Sequence, residues 1–180
     1  MNSRPLRRDA LRAPLFIAAV LIALNFSRCG SSGDHAEPSG PLTARVTHVV
    51  DGDTIDVTLA DGDEETVRYI GIDTPETVKP GTPVQCGGPE AHEANDRLVY
   101  GRTVTLRFDT ERRDVYGRLL AYVYLPRRVA RPLFVNAELA RRGLARTLTI
   151  PPNDSFAPLF ARLADRAGVR GRGLWGSCPL

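Results

Sequence analysis

The sequence predicts an α+β domain, a five-stranded OB-type β-barrel carrying about three α-helices. Three observations lead there. Residues 45–50, 54–59 and 66–70 alternate apolar and polar side chains between short turns, the pattern of antiparallel strands with one buried face. Two further runs, 103–108 and 119–124, follow a helical stretch instead of alternating strand by strand with helices, which disfavours a layered parallel sheet. The remaining helical patterns come after the last strand. Five short strands arranged this way close most simply into a small barrel.

Each element has a local reason. Asp61-Gly62-Asp63 is a hairpin turn between the second and third strands. A Pro/Gly-rich loop over 74–89 opens into a helix at 90–100, where Pro89 is tolerated because the first helical N–H groups have no intrahelical acceptor. Asp114-Val115-Tyr116-Gly117 turns the chain between the fourth and fifth strands. A helix over 134–142 stops at Gly143. Another over 155–167 sets Phe156, Leu159, Phe160 and Leu163 on one face.

Ahead of the barrel lie two other segments. Arg4, Arg7, Arg8 and Arg12 precede the apolar run 15–24, which is too short to cross a hydrocarbon core of about 30 Å as a helix. Residues 1–29 read as a secretory signal peptide or a lipoprotein signal, with a buried N-terminal helix as the alternative. Cys29 followed by Gly30-Ser31-Ser32-Gly33 resembles a lipid-acceptor cysteine and tether, although Phe26-Ser27-Arg28 fits a lipobox poorly. Residues 30–42 form a Gly/Ser/Pro-rich linker, leaving 43–178 as the folded domain.

The charge balance sharpens this division. The chain of 180 residues has 24 Lys+Arg, 21 Asp+Glu and a net charge of +3. Five of the bases and one acid precede Gly30, so the remainder has 19 bases against 20 acids. That remainder is polarised, with four bases and 14 acids before Gly101 and 15 bases and six acids after it. A uniformly basic nucleic-acid-coating protein is excluded, and a concentrated anion site beside carboxylates is favoured. With 42% hydrophobic residues, wholesale disorder is excluded as well.

Export permits disulfides, and apart from Cys29 the cysteines are Cys86 and Cys178. Joined, they close a loop that restricts the unfolded chain by about 4–5 kcal/mol on the chain-entropy model. Neither has a CxxC partner or a nearby His, so metal binding and thiol catalysis are the weaker readings.

Chemistry concentrates at strand ends. Asp51-Gly52-Asp53-Thr54 and Asp73-Thr74-Pro75-Glu76 place carboxylates in pairs, the ligand type that hard divalent cations take. Taken singly, each is also an ordinary acidic turn or helix-start sequence. An EF-hand is excluded, since Ile55 stands where its third oxygen ligand belongs and Asp56 where its glycine belongs. Arg68 leads into the second pair, and Arg118 follows the 114–117 turn; each alone is an ordinary ion-pair partner. His35, His48 and His92 share no metal-ligand spacing.

As a set and in order, VVDGDTI, VRYIGIDTPE, GPEA, DVYGRLLAYVY, VNAELARRGLA and GLW resemble the staphylococcal nuclease (thermonuclease) family over roughly residues 44–178. The resemblance implies a staphylococcal-nuclease-like barrel and a Ca²⁺-dependent phosphodiesterase that cleaves the P–O5′ bond of DNA and RNA, leaving 3′-phosphate ends. It assigns Asp53 and Asp73 as metal ligands and gives Thr74 a ligating main-chain carbonyl. Glu76 matches the residue that orients or deprotonates the attacking water, and Arg68 and Arg118 match the paired arginines on the phosphate. Asp51 matches an aspartate that shapes its loop.

Departures fall on substrate contacts. Val115 replaces a lysine, and Thr149 stands about where a nucleotide-packing tyrosine is expected, while Tyr116 is kept. Arg112 and Arg113 are candidate phosphate contacts, or solvated charge on a hairpin. The expected protein is a monomer, secreted or anchored through Cys29. The rivals are a non-catalytic OB-fold nucleic-acid-binding protein and a calcium-binding adhesion module; the second leaves Arg68 and Arg118 without a role.

Overall fold

The computed structural model describes residues 40–77, 81 and 83–179. The expected leader 1–29 with Cys29, His35 and most of the linker lie outside the described residues. Strands β1 (Leu42–Val49), β2 (Thr54–Leu59) and β3 (Glu64–Tyr69) form an antiparallel meander. The short strand β4 (Gly71–Asp73) follows, then helix α1 (Gly88–Val99) and strands β5 (Thr103–Arg107) and β6 (Leu119–Leu125). β5 pairs with β1 and with β6, and β6 runs parallel to β3. The order β3-β2-β1-β5-β6 thus closes on itself, a five-stranded barrel of the OB type, as the strand pattern predicted.

Alternation fills the barrel. Val46, Val57, Val67, Val104, Leu106, Ala121 and Val123 are all buried. In β1 the inward series runs Ala44, Val46, Val49, because the register with β2 shifts between Val46 and His48. That irregularity admits one extra residue and keeps Val49 inside.

Three longer helices cover the barrel. α2 (Val135–Arg142) follows the two-residue strand β7 (Leu133–Phe134), and α3 (Ala157–Val169) packs on it. α2 ends where Gly143, at φ 76°, gives its N–H to Ala140 and Leu144 gives its own to Leu139. Buried Asn136 fastens α2 to the barrel: its side-chain oxygen accepts the Val123 N–H, and its amide donates to the carbonyls of Ile70 and Ala121. Phe134 and Phe156 meet Tyr122 edge-on and Phe160 lies tilted against it, forming one aromatic cluster.

Four short elements were not anticipated: β4, β7, β8 (Arg146–Leu148) and α4 (Leu174–Ser177). β4 and β8 form a separate two-stranded sheet, Gly71 opposite Leu148 and Asp73 opposite Arg146. It draws the arginine-rich half of the chain alongside the strand that ends at Asp73. Cys86 and Cys178 form a disulfide, S–S 2.09 Å. No helix among the described residues is long and apolar enough to cross a membrane.

Candidate active site

Two loops and one strand converge at the barrel end. The loop between β1 and β2 turns on Asp51, whose carboxylate accepts the Asp53 N–H at 2.9 Å. This aims the buried Asp53 carboxylate across toward the end of β4, where one oxygen accepts the Thr74 N–H at 2.6 Å. Gly52 makes the approach possible: a Cβ there would lie 2.7 Å from both Ala91 Cβ of α1 and the Thr74 methyl.

Arg68, in β3, joins the loop between β1 and β2 to the end of β4. Its Nη1 lies 2.7 Å from Asp53 Oδ1, and its Nη2 lies 2.8 Å from Asp73 Oδ1. Nη1 also donates to the Ile72 carbonyl at 3.1 Å. Asp53 is buried while Asp73 is open to solvent, so one guanidinium spans a dry and a wet carboxylate. Burial pushes the Asp53 carboxyl above the usual range, against the lowering effect of Arg68, and the neighbouring Asp51 pushes the same way as burial.

Glu76 is half-buried; its Oε1 accepts the Thr77 N–H at 3.0 Å. Arg118 is oriented by Asp114, whose carboxylate takes Nε and Nη2 of the guanidinium, both at 2.7 Å, and the Arg118 main-chain N–H at 3.0 Å. The guanidinium stands 5.5 Å from the centroid of the exposed Tyr116 ring. Arg68 and Arg118 both line an open cleft of about 590 Å³ whose apolar wall is Val115, Tyr116, Leu148 and Ile150. Arg113 lines the same cleft and is paired with Glu65. Arg112 instead lies over the Phe108 ring, 3.6 Å from its centroid.

The donor chemistry fits a hard cation. Among the described residues no three His, Cys, Asp or Glu side chains form a metal-binding cluster. Asp53 and Asp73 nevertheless meet at one guanidinium, and carboxylate oxygens are the ligands that a hard cation takes.

Comparison with known proteins decides the family. The family model for staphylococcal nuclease homologues matches residues 66–177. The chain belongs to the staphylococcal nuclease family. It is 37% identical to a thermonuclease of Staphylococcus intermedius over 164 residues, covering 89% of this chain and 94% of that protein. A thermonuclease of Staphylococcus hyicus is 35% identical over 91% of this chain and 95% of its own length. An SPbeta prophage-derived endonuclease, YokF, of Bacillus subtilis is 42% identical over 70% of this chain and 41% of its own length.

Three residues that organise this site went unread in the sequence. Asp114 looked like a turn former, which it is, yet it also aims Arg118. Asn95 is a fully buried amide whose only sequence signal is its polarity on the inward face of α1. Gln85, in the loop before α1, pairs with Glu76 and carried no signal.

Proposed function

We propose that this protein is a Ca²⁺-dependent nuclease that hydrolyses phosphodiester bonds of DNA and RNA at the P–O5′ bond, leaving 3′-phosphate ends, and that it is exported. Its family supports the hydrolase class. One observation supports the metal and phosphate site: Asp53, in the loop between β1 and β2, and Asp73, at the end of β4, converge on Arg68 at 2.7 and 2.8 Å, beside the cleft that Arg68 shares with Arg118.

A phosphodiester is already anionic, and its transition state gathers more charge on the nonbridging oxygens. Arg68 and Arg118 are planar forks that can meet those oxygens in pairs, which an ammonium cannot do. Glu76 is the group to accept the proton of the attacking water and hold that water in line with the leaving oxygen. Asp53, Asp73 and the Thr74 carbonyl would hold calcium, which supplies positive charge to the same oxygens. Tyr116, with the apolar wall beside it, offers a face for a base, worth about 1–3 kcal/mol per stacked contact. The basic and apolar leader sequence, together with a disulfide, supports export.

Digestion of single-stranded DNA by the purified domain should require calcium and stop on addition of EGTA. Digestion at full rate without metal would overturn the calcium assignment. Glu76→Gln should lower kcat by about 10²–10⁴-fold with the fold intact.

A further inference from the structure

We infer that Gln85 is a positioning residue for Glu76, and that the Cys86–Cys178 disulfide holds it in place. This rests on the reading of Glu76 as the base.

Glu76 lies beyond the last residue of β4, so no sheet partner fixes its main chain. Gln85 does so from the far end of the loop, and from both sides. Its side-chain oxygen accepts the Glu76 N–H at 3.0 Å, and its own N–H donates to the Glu76 carbonyl at 2.9 Å. Both polar groups of one peptide segment are thereby held by a single residue, which leaves the Glu76 backbone little freedom to rotate.

Gln85 is exposed, and its neighbours are anchored. The Gln85 carbonyl accepts the N–H of Gly88, the first residue of α1, at 3.0 Å. Gly88 sits so close to the Glu76 segment that a Cβ there would lie 2.7 Å from the Thr77 methyl and 3.2 Å from the Glu76 carbonyl. Cys86 is the next residue after Gln85, and its bond to Cys178 ties the loop to α4. α4 is fixed in turn, since the Leu174 N–H donates to the carbonyl of Gly143 at the end of α2 at 2.9 Å. Gly87 lies so close to Leu174 that a Cβ would fall 2.0 Å from its Cδ2. The connection runs from the end of α2 through α4, the disulfide and Gln85 to Glu76. It holds the base by covalent and main-chain links beyond the end of β4.

The variant Gln85→Met keeps the shape of the side chain and removes the acceptor. Expected are a kcat lower by about tenfold, the scale of one lost hydrogen bond, with the KM for single-stranded DNA and the melting temperature unchanged. Faster hydrogen exchange at the Glu76 amide should accompany it. Cys86→Ala with Cys178→Ala should speed the same amide's exchange, and adding it to Gln85→Met should lower kcat no further, because both act through one contact. Parental kcat in Gln85→Met, where Glu76→Gln has lost turnover, would overturn the positioning role. A multiplicative loss on combining the variants would overturn the connection through the disulfide. Full turnover by Glu76→Gln would remove the base assignment, and this proposal with it. Should the cysteine variant fail to fold, Gln85→Met and its amide exchange still decide the positioning role, and Glu76 amide exchange in the parent before and after reduction of the disulfide decides the connection: unchanged exchange would overturn it.

Discussion

The side-chain amide of Asn95 donates to the main-chain carbonyl of Asp51 at 3.0 Å, so helix α1 carries the loop that presents Asp53. The oxygen of the same amide accepts the Tyr69 hydroxyl at 3.0 Å. Burial pushes that hydroxyl well above the usual phenol range and keeps it a donor. Asn95→Ala strands the hydroxyl and the carbonyl together. It should destabilise the domain by about 1–3 kcal/mol, read as a lower urea midpoint from the fluorescence of Trp175, the single tryptophan. An unchanged midpoint would contradict the network.

Arg68 serves two carboxylates and a carbonyl through its fork. Lysine keeps the charge but cannot span two acceptors in one plane. Arg68→Lys should therefore lower kcat on DNA by about 10²-fold or more while circular dichroism stays native. Turnover within a few-fold of the parent would show that charge alone suffices.

Gly71 opens β4 at φ 84°, and a Cβ there would lie 2.1 Å from the Phe160 ring. Gly71→Ala combines backbone strain with overpacking against the aromatic cluster, and should cost on the order of 2–4 kcal/mol. Thermal melting tests it, and a melting temperature equal to the parent's would be evidence against so tight a contact.

Glu138 on α2 binds Arg141 and Arg142 through its carboxylate. The hydrogen bonds from Arg141, followed by those from Arg142, hold its carboxyl below the usual range despite partial burial. A carboxyl lowered in the folded state stabilises fully above its unfolded value, about 4.3, and loses that contribution as pH falls through the folded value. Glu138→Gln should thus melt lower than the parent at pH 7, by less than about 1 kcal/mol because the arginines are solvent-exposed. The difference should shrink below pH 4. A gap that widens in acid would reverse the assigned sign.

Five barrel strands and three helices were legible in the sequence because each satisfies a local rule: alternation for the strands, and for the helices a proline at the entry, a stop at Gly143 or an apolar face. The boundaries moved where pairing extended them, as at Leu42, which is opposite Leu106 of β5. β4, β7, β8 and α4 are too short to carry a period. β8 exists because residues 146–148 meet 71–73 across the fold, a pairing no window of sequence contains.

By itself the sequence predicted the barrel, pointed to the family and singled out Asp53, Asp73, Glu76, Arg68 and Arg118 as candidates, since motif spacing and side-chain period are local properties of the chain. Only the tertiary structure decided how these residues are held. Asn95 supports the Asp51 loop from a helix, Asp114 aims Arg118, and Gln85 grips Glu76. It also separated Arg112, which lies on Phe108, from Arg113, which lines the cleft. These contacts come from chain closure. The side chains that make them are polar residues of ordinary type, and what they do depends on which backbone groups the fold leaves within about 3 Å of them.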